Sequence, residues 1–591
     1  MEKKETSRRD FLKGAALVGA GIAGSSALTS FASTAIGSPA TEISAAGGPM
    51  GNAQAEGILT WLPPEPNITD ADVEAEDSAE IIIIGCGLAG TLAARSAAEE
   101  GASVIVIEKA DSPQYRSGDI TVVDGKTNEN WGRVGVFDHD MLAEHELSEQ
   151  AYFPKRAIYK KWADNCGEIF DWFIASRDDV YICPDSTTDI PDGVQALVHP
   201  SYYPAPPLYD WKTELYPTYP TTVYVGPDIG VYVLASWDMA VAAGAKAYWG
   251  HFGEKLIMEN GRVIGCYARN AETGKYLKAT ATKSVIMATG EYSSNKEILA
   301  YYAPQVIANK IPSMFPNRDV EGNPTNTGDG LIMGAYINAA IQQHHPPMIH
   351  YMGVAGIGTS PYLRLNVLGK RFMNEDIPGQ QVQNQMEGAP RRKMFTFFDS
   401  AWTEQLQYFQ PQHGSAVYVM DELPKNFNGL VSNHGIKTPL DVENAVAAWY
   451  EGRGRAQYLS ADTIEELVDQ IEDIDKEAAL ASIARYNEMA RNGKDEDFGK
   501  PASRMFALEN PPYYVAESGM SSMLVCPGGL VSDEDCHVYD NNGDIIPGIY
   551  VCGNIQGSRY AVNYPIAIRG ISHSLCMTYG YFAGKNAVAQ V

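Results

Sequence analysis

A glycine-rich turn stands between two apolar segments of the chain. The apolar run Ile81 to Ile84 is followed directly by Gly85-Cys86-Gly87-Leu88-Ala89-Gly90, and Thr91 to Gly101 has the composition of a helix. Such glycines allow a tight turn and close approach of the backbone to a pyrophosphate, which the start of the next helix also attracts. A second strand is predicted for Ser103 to Ile107, and Glu108 can accept hydrogen bonds from a ribose. The spacing therefore predicts a dinucleotide-binding βαβ unit.

Two further segments have the form expected for the rest of such a domain. Ser284 to Gly290 predicts a strand that runs into a turn of small residues, and Ile546 to Asn554 repeats this pattern near the C-terminus. Gly570 to Lys585 predicts a final helix. The βαβ unit alone does not distinguish NAD from FAD.

With these segments the chain resembles the FAD-dependent fumarate reductase and succinate dehydrogenase flavoprotein superfamily, including its soluble flavocytochrome c and ketosteroid dehydrogenase relatives. The resemblance extends from about residue 78 to 588. Besides the βαβ unit, the motifs that carry it are Thr327-Gly328-Asp329-Gly330, Gly369-Lys370-Arg371-Phe372-Met373-Asn374-Glu375, Pro527-Gly528-Gly529-Leu530, and Gly553-Asn554 with Gly580-Tyr581-Phe582-Ala583-Gly584.

The resemblance implies an α/β fold with a Rossmann-like FAD-binding domain of the GR2 type and an inserted α+β substrate-capping domain. The FAD-binding domain would comprise residues 78–334 and 509–591, and the cap residues 335–508. Within the cap, the apolar spacing of Ala461 to Lys500 predicts two amphipathic helices, separated by Asp473-Ile474-Asp475 and with the second ended by Gly493.

FAD is the cofactor that the resemblance implies. Tyr115 to Ile120 lacks the histidine that membrane fumarate reductases use for covalent attachment, which favours noncovalent FAD. No second dinucleotide fingerprint is present, so NAD(P)H is not expected as a direct partner. The candidate FAD contacts are Gly85, Gly87, Leu88, Ala89, Gly90, Glu108, Lys109, Ser117, Gly118, Asp119, Ala288, Thr289, Gly290, Asp329, Gly553, Asn554, Gly570, Ile571 and Ser572.

The proton donor of the fumarate enzymes is missing from its expected place. The resemblance puts a proton-donating arginine eight residues after Arg371, and that position holds Gly379. The residues that would relay protons to it, a glutamate and an arginine, are both absent from His350 to Gly358. Met523 to Gly529 lacks the histidine expected to bind a substrate carboxylate, and only His350 matches a substrate histidine. Fumarate itself is therefore not the expected substrate.

Three residues are candidates for catalysis. Tyr564 stands just before the final helix, where ketosteroid dehydrogenases carry a tyrosine that hydrogen-bonds the substrate carbonyl. A phenol has an ordinary pKa of about 10, so at pH 7 it can polarise a carbonyl or donate a proton. The alternative for Tyr564 is a packing role beside Pro565. Arg569 is either a carboxylate anchor or part of a structural or flavin ion pair, and His350 either contacts substrate or is structural.

Metal and haem sites have little support. The eight cysteines show no C-x-x-C or C-x-x-C-H spacing, and this argues against haem, iron-sulfur and zinc sites. Among His344, His345 and His350, the pair Pro346-Pro347 prevents a helical arrangement and no acidic partner is near. No metal site is predicted.

The segment from His199 to Pro227 is dense in tyrosine and proline and has neither helical nor strand periodicity. Its aromatic rings either line a pocket for a flat aryl or polycyclic substrate or pack a surface loop onto itself.

The net charge limits the partners that the protein can bind, and the N-terminal sequence indicates where in the cell it is located. A formal net charge of -28 over 591 residues argues against nucleic acid as a partner and weakens a case for anionic lipid. Residues 1–35 carry Ser7-Arg8-Arg9-Asp10-Phe11-Leu12-Lys13 before a Gly/Ala-rich apolar stretch, which predicts a twin-arginine export signal rather than a membrane helix. Residues 36–77 are predicted to be a linker. The mature chain is expected in the periplasm or on the outer face of the cytoplasmic membrane, without a transmembrane anchor.

Three functions stay open at this point. The first is an exported enzyme that reduces an activated C=C bond by hydride transfer from flavin N5, with electrons from an external cytochrome or quinol-linked donor. The second is a ketosteroid-like dehydrogenase that introduces a C=C bond. The third is a flavin electron carrier without catalysis, which the missing arginine would also fit.

Overall fold

The structure of the chain, a computed structural model, describes residues 59–185, 188, 190–200, 205, 208–314, 316–351, 360–411, 458–564 and 567–591. The predicted export signal and most of the predicted linker lie outside these residues, as does part of the tyrosine- and proline-rich segment. None of the helices in the described ranges is long and apolar enough to cross a membrane.

Seventeen strands and thirteen α-helices are defined within the described residues. In chain order the strands are β1 (Val73–Ile84), β2 (Val104–Glu108), β3 (Asp119–Thr121), β4 (Val180–Ile182), β5 (Ala196–His199), β6 (Thr222–Gly226), β7 (Lys246–Trp249), β8 (His251–Glu259), β9 (Arg262–Asn270), β10 (Tyr276–Met287), β11 (Met348–Tyr351), β12 (Leu363–Asn366), β13 (Lys393–Asp399), β14 (Tyr458–Ala461), β15 (Tyr513–Val525), β16 (His537–Tyr539) and β17 (Ile545–Val551). The helices are α1 (Leu88–Glu99), α2 (Lys126–Glu129), α3 (His139–Glu149), α4 (Arg156–Ile174), α5 (Gly230–Ala242), α6 (Lys296–Tyr302), α7 (Pro304–Ala308), α8 (Asp329–Tyr336), α9 (Gly379–Glu387), α10 (Trp402–Gln405), α11 (Ile464–Asp469), α12 (Lys476–Asn492) and α13 (Ile571–Ala589).

An eight-stranded mixed sheet forms the centre of the fold. Its order is β16-β17-β10-β1-β2-β7, with β9 paired to β10 and β8 paired to β9. Strands β17, β10, β1, β2 and β7 run parallel, and Ile83 pairs with Val106 on one side and with Ile286 on the other. Parallel strands that are covered on both faces need continuous apolar runs, which is why the sequence predicted the buried end of β1 and the whole of β2.

The first strand begins inside the segment predicted as linker. Residues 73–77 pair with β10 from Tyr276 to Ala279, so strand pairing orders them. Trp61, further upstream, is 6% exposed and packs in the core beneath the central sheet. The end of the linker therefore belongs to the folded structure.

The final helix packs directly on the helix of the βαβ unit. A Cβ added to Gly580 would lie 2.6 Å from the carbonyl oxygen of Ala89, and one added to Gly584 would lie 2.6 Å from that of Ala93. The two helices can approach so closely only because α13 has no side chain at these positions. The predictions of α1 and α13 are confirmed, with α1 beginning three residues earlier than expected, at Leu88.

A separate antiparallel sheet has the order β11-β15-β13-β12, with β14 also paired to β15. Helices α11 and α12 pack on it through an apolar cluster that includes Phe397 and Ile483. The Asp475 side chain caps the start of α12, and Gly493 (φ 67°) ends it in the left-handed conformation. The two predicted helices are thus confirmed. Strand β15 begins at Tyr513, so this sheet extends past the boundary predicted at residue 508.

A third, four-stranded sheet has the order β3-β6-β5-β4. It shares an apolar cluster with α4, in which Phe170 packs with Val223. Its first strand, β3, begins at Asp119. Residues 115–118, which directly precede β3, lie near the ends of the central parallel strands.

Candidate active site

The turn between β1 and α1 is held by close backbone contacts. Gly85 has φ +101°, and a Cβ there would lie 2.4 Å from the carbonyl oxygen of Ala288. A Cβ on Gly90 would lie 2.0 Å from the carbonyl oxygen of Gly85. Gly87 precedes the first helical residue, so the amides of α1 begin at this turn. The backbone has the form that a pyrophosphate requires.

Glu108 ends β2 beside the same turn. Its carboxylate accepts hydrogen bonds from the backbone N–H of Cys86 (2.6 Å) and of Ala110 (2.8 Å). Burial raises its pKa, which these hydrogen bonds oppose. Each carboxylate oxygen still has acceptor capacity for a ribose hydroxyl.

A cavity of about 600 Å³ opens where β1, β2, β10 and β17 end. Ligands of open α/β sheets bind at this edge, outside the carboxyl ends of the parallel strands. The predicted FAD contacts that line it are Gly85, Gly87, Leu88, Ala89, Glu108, Lys109, Ser117, Asp119, Ala288, Thr289, Gly290, Asp329, Gly553, Asn554, Gly570, Ile571 and Ser572.

Two predicted FAD contacts do not line the cavity. Gly90 lies behind the turn, where it packs on Gly85. Gly118 packs beneath β6, and a Cβ there would lie 2.7 Å from the carbonyl oxygen of Val225. Both glycines allow the backbone behind the cavity wall to pack closely, and they affect the shape of the cavity without lining it.

Thr289 tests whether the cavity suits a polar cofactor. Its hydroxyl is buried in the lining and finds no hydrogen-bond partner among the described residues. Gly330 leaves room for it, because a Cβ there would lie 2.0 Å from the Thr289 oxygen. Because this hydroxyl has no surface open to the cavity, Thr289 contributes other atoms to the lining. Room for a cofactor against the backbone is left by Gly87 and Gly290, where an added Cβ would meet no atom closer than 3.9 Å. The lining fits FAD.

An ion pair forms another part of the lining. The Lys109 ammonium donates to Asp329 (2.7 Å) and to the Thr327 hydroxyl (2.7 Å). Because Thr327 and Asp329 come from the predicted Thr-Gly-Asp-Gly motif, that motif is fixed to the end of β2.

The first turn of α13 brings polar groups to the cavity. Ser572 and His573 both line it, and the His573 Nδ1 lies 2.8 Å from the carbonyl oxygen of Asp119. Burial lowers the pKa of His573, but the hydrogen bonds and charge of Asp119 outweigh it, so the pKa is raised overall.

Tyr564 lies in the cavity wall, as its candidate role requires. Burial raises the pKa of this phenol, although a hydrogen bond from Ser572 acts in the opposite direction. The side chain therefore keeps its proton at neutral pH. It packs with Met348, Leu524 and Val525, which form an apolar cluster and also line the cavity.

This apolar cluster stands where the resemblance would place a histidine for a substrate carboxylate. Val525 precedes Cys526 and the Pro527-Gly528 turn, and it is 5% exposed. The wall beside Tyr564 offers dispersion contacts and excludes water, and it has no charge in this cluster to bind a second carboxylate.

Arg569 also lines the cavity and is 1% exposed. Its carbonyl oxygen accepts hydrogen bonds from the hydroxyls of Thr121 and Thr222, the latter at 2.7 Å. The next residue, Gly570, has φ +78°, and a Cβ there would lie 2.8 Å from the Thr121 amide. The backbone around Arg569 is thus fixed to β3 and β6.

The histidines of the HHPPMIH segment separate in the fold. His345 is buried; its Nδ1 lies 2.6 Å from the Tyr292 hydroxyl and its Nε2 2.7 Å from the carbonyl oxygen of Gln342. The His344 ring contacts Phe153 instead. His350 lies in β11 opposite Ser522, and its side chain is outside what the structure describes, so its role stays a prediction.

The Gly369 to Glu375 motif builds a buried ion network. The Arg371 guanidinium contacts Glu375 (2.8 Å) and Asp495 (2.9 Å), and the Lys500 ammonium lies 3.3 Å from Glu375.

Gly379 begins α9, whose sequence GQQVQNQME contains several side-chain amides. The position where the fumarate enzymes carry arginine therefore has no side chain.

Several lining residues were not predicted. Glu291, Asn326, Arg116 and His573 line the cavity but are not among the FAD contacts predicted from the sequence. Glu291 and His573 immediately follow predicted contacts, so extending the predicted strand end and helix start by one residue would have included them. Arg116 and Asn326 lie in loops with no periodic signal.

The glycine-rich turn after β1, the Glu108 carboxylate and the start of α1 meet at the end of the parallel sheet. This arrangement is that of a dinucleotide-binding protein. The family model described as an FAD binding domain matches residues 80–568, and the chain belongs to this family. The protein is therefore an FAD-dependent oxidoreductase, and the predicted resemblance, fold class and cofactor are confirmed. A model of the twin-arginine translocation signal matches residues 5–25, which indicates export across a membrane.

Relatives with named activities span nearly the same length. The chain is 24% identical to a vinyl phenol reductase of Lactiplantibacillus plantarum, over 86% of this chain and 96% of that protein. It is 23% identical to a cytochrome-type fumarate reductase of Shewanella frigidimarina, over 89% and 78%. It is also 23% identical to a 3-oxosteroid 1-dehydrogenase of Mycobacterium tuberculosis, over 86% and 98%.

Two solved structures share the fold. One is a 3-ketosteroid-Δ4-(5α)-dehydrogenase of Rhodococcus jostii in complex with 4-androstene-3,17-dione, with a TM-score of 0.62 and 18% identity over 89% of this chain and 99% of that chain. The other is the open conformation of a flavocytochrome c3 fumarate reductase, with a TM-score of 0.56 and 19% identity over 88% and 79%.

Proposed function

We propose that this exported flavoprotein reduces an activated carbon–carbon double bond in an enone, an enoate or an aryl alkene other than fumarate. The observation that carries the proposal is the position of Tyr564, a protonated phenol in the cavity wall beside the apolar cluster of Met348, Leu524 and Val525. A reductase needs such a proton donor beside an apolar surface for the alkene.

The predicted contacts in the cavity lining would hold FAD without a covalent bond. The glycine turn would receive the pyrophosphate, and Glu108 would accept hydrogen bonds from the ribose. The start of α13 would stabilise negative charge on the reduced flavin by about 1 kcal/mol. When bound, FAD would supply the hydride, from its N5, to the substrate.

Tyr564 would complete the reaction as the acid. The hydride adds to one carbon of the double bond, and the phenol polarises the activating group or donates a proton to the other carbon. Arg569 would orient a substrate that carries one carboxylate, and His350 would contact substrate from β11. The apolar cluster beside Tyr564 would limit the access of water to the reacting carbons.

The apolar cluster beside Tyr564 also indicates the class of substrate. The apolar cluster replaces the expected carboxylate-binding histidine, which disfavours a small dicarboxylate. A vinyl phenol reductase and a 3-oxosteroid 1-dehydrogenase are among the relatives, and both named substrates are ring compounds. An aryl or polycyclic substrate agrees with the apolar wall.

The reverse reaction is a second candidate. Tyr564 would then hydrogen-bond the carbonyl of a ketosteroid-like substrate during desaturation, and the same apolar wall would receive its rings. The direction depends on the flavin potential and on the external redox partner, for which a cytochrome or a quinol-linked protein of the periplasm is proposed.

We further propose two domains within this fold. The FAD-binding domain is built around the central sheet from both ends of the chain, and a substrate-capping domain is built around the sheet of β11, β12, β13 and β15 with α11 and α12. The Arg504 guanidinium joins them, because it contacts Asp376 (3.1 Å) on the cap and Glu214 (2.6 Å) outside it.

The function is tested by an anaerobic screen of the flavin-loaded protein. The flavin is reduced with viologen and exposed to unsaturated acids, aryl enoates, vinylphenols and steroid enones, while its reoxidation is followed by absorbance. Reoxidation with a saturated product supports the reductase. Turnover only of saturated ketones with an artificial acceptor would support the dehydrogenase, and no turnover in either direction would indicate an electron carrier.

Tyr564 is tested on the substrate found in that screen. Y564F is expected to lower kcat by about 100-fold, the usual contribution of a positioned acid. The matched control is Y581F on α13, whose ring contacts Trp172 away from the cavity. Unchanged turnover of Y564F would remove this residue from catalysis.

A further inference from the structure

We propose that Gln150 positions Tyr564 for the reaction by binding the backbone of the three residues that precede it. Gln150 directly follows α3, and it does not line the cavity. It is therefore a positioning residue and not a catalytic one. The inference rests on the proposed function, because it concerns the phenol that would give its proton to the substrate.

The Gln150 side chain binds a row of backbone groups. Its Oε1 accepts hydrogen bonds from the N–H of Ala561 (2.8 Å), of Val562 (3.1 Å) and of Asn563 (3.2 Å). Successive backbone N–H groups that converge in this way form a concave site for an acceptor. The three donors also decide the orientation of the side-chain amide, because its oxygen can accept hydrogen bonds and its NH2 group cannot.

This acceptor is buried although the loop that it binds lies at the surface. Gln150 is 0% exposed, whereas Val562 is 54% exposed. Residues 561–563 belong to no helix or strand, so no ladder of secondary structure pairs their N–H groups. A buried N–H without a partner is costly, and here one oxygen serves all three. The Gln150 Nε2 has no hydrogen-bond partner among the described residues, so the oxygen alone makes the polar contacts of this side-chain amide.

Asn563 connects these hydrogen bonds to Tyr564, which is the next residue. Adjacent Cα atoms lie about 3.8 Å apart across a trans peptide, so the position of Asn563 limits where the phenol can lie. The Asn563 side chain also bridges two helices, because it donates to Glu149 of α3 (3.4 Å) and accepts from Asn384 of α9 (3.4 Å). The residue before the phenol is thus held through both its backbone and its side chain.

A second glutamine binds the start of the same loop. The Gln342 Oε1 accepts from the Ser558 N–H (2.8 Å), and the Gln342 Nε2 donates to the carbonyl oxygen of Tyr560 (2.7 Å). The Tyr560 ring is buried, and its centroid lies 5.2 Å from that of the Tyr564 ring. Side chains therefore fix both ends of the loop of residues 558–563.

The position of the phenol matters because a proton donor must lie within hydrogen-bond reach of the atom that it serves. A misplacement of about 1 Å can lower a rate by about 100-fold. Without the Gln150 oxygen, the three N–H groups would have to find water, and the loop that carries Tyr564 would move. The cavity walls that would bind substrate remain in place, so the loss should affect kcat far more than KM.

The test compares Q150M and Q150E with the parent holoenzyme on the substrate found in the screen. Methionine keeps the length of the side chain but is only a weak acceptor, so kcat should fall by about 10- to 100-fold while KM stays within about threefold. Glutamate keeps an acceptor oxygen in either protonation state, so Q150E should keep kcat within about threefold of the parent. The matched control is Q470M, which should change kcat by less than about twofold, because Gln470 also directly follows a helix, α11, but is exposed.

A double-mutant cycle separates positioning from a general structural role. In the Y564F background no phenol hydroxyl remains to be positioned, so Q150M should change kcat there by less than about threefold. An equal loss in the parent and in the Y564F background would overturn the proposal, because Gln150 would then affect the reaction without Tyr564.

Hydrogen exchange gives a readout that needs no substrate. In the oxidised holoenzyme the amides of residues 561–563 should exchange slowly, and Q150M should speed their exchange by at least about tenfold, whereas Q150E and Q470M should not. Fast exchange of these amides in the parent would show that they are open to water and would overturn the proposal.

The outcomes are distinct. If the parent turns over a substrate and Q150M keeps its kcat, the positioning role is refuted and the proposed function stands. If Q150M does not fold, Q150N carries the kinetic test, because it withdraws the acceptor oxygen by one methylene and should also lower kcat. If the parent turns over no substrate, the proposed function fails first and the positioning role fails with it.

Discussion

Replacing Gly85 with alanine should abolish most FAD binding while the protein remains folded. An L-residue at φ +101° costs about 1–2 kcal/mol from its backbone conformation alone. The new Cβ would also lie 2.4 Å from the Ala288 carbonyl oxygen and 2.8 Å from its carbon, so the strand ends must separate. Both residues line the cavity, so this shift opens the phosphate turn. A further loss of at least 1.4 kcal/mol in cofactor binding means at least a tenfold higher Kd.

Gly101 is the matched control for this substitution. Its φ is +83°, and an added Cβ would meet nothing within 4 Å. G101A therefore has the conformational cost of a positive φ but no steric contact of the new Cβ. Gly101 lies just after the end of α1, away from the cavity. FAD is titrated into apoprotein and its fluorescence is followed, with Tm measured in parallel. The reasoning is refuted if G85A binds FAD within twofold of the parent, or if G101A loses affinity to the same extent.

Three further predictions concern stability. R371A leaves the buried Asp495 carboxylate without its cation and Glu375 with Lys500 alone, and it should lower the free energy of unfolding by about 3–5 kcal/mol in urea titrations. R391A, at an exposed pair (65% exposed), should change it by less than about 1 kcal/mol. D475A removes the N-cap of α12 and should cost about 1 kcal/mol, measured in the same way; no loss would show that the cap is not limiting. Glu146 has a raised pKa in the folded state, so its contribution to stability is complete below its ordinary pKa of 4.5 and is lost as pH rises toward the folded pKa. E146Q should therefore gain stability relative to the parent by up to about 1.4 kcal/mol per pH unit above about pH 5, and a constant difference would refute the raised pKa.

The parts of the fold that sequence predicted are those in which local pattern and packing agree. Ile81 to Ile84 is apolar without alternation because β1 is covered on both faces, and the glycines of the next turn meet real backbone contacts. The cap helices were found because Asp475 and Gly493 bound α12. The strand boundary at Val73 was missed, because residues 73–77 are polar and become ordered only by pairing with β10.

Many residues that line the cavity were predictable for the same reason. Most of its lining comes from strand ends and helix starts, which leave marks in the local sequence. Gly90 and Gly118 are predicted FAD contacts, but both lie against neighbouring backbone outside the cavity lining, since a glycine in a motif does not reveal which atom approaches it. Arg116 and Asn326 were missed because loops that converge on a cavity share no sequence period.

The buried glutamates of α3 show most clearly where sequence reasoning ends. Gly379 shows that the arginine implied by the resemblance is absent from α9, whereas the contact of Glu149 with Gln381 of α9 joins residues 232 positions apart and leaves no local signal. The sequence of α3, HDMLAEHELSE, is that of an ordinary polar helix, and the chain contains 73 acidic residues, so neither glutamate is conspicuous. What distinguishes Glu146 is complete burial without a hydrogen-bond partner for either carboxyl oxygen among the described residues. The protonation of such a carboxyl is set by the tertiary packing that buries it, and the local sequence of its helix carries no sign of that packing.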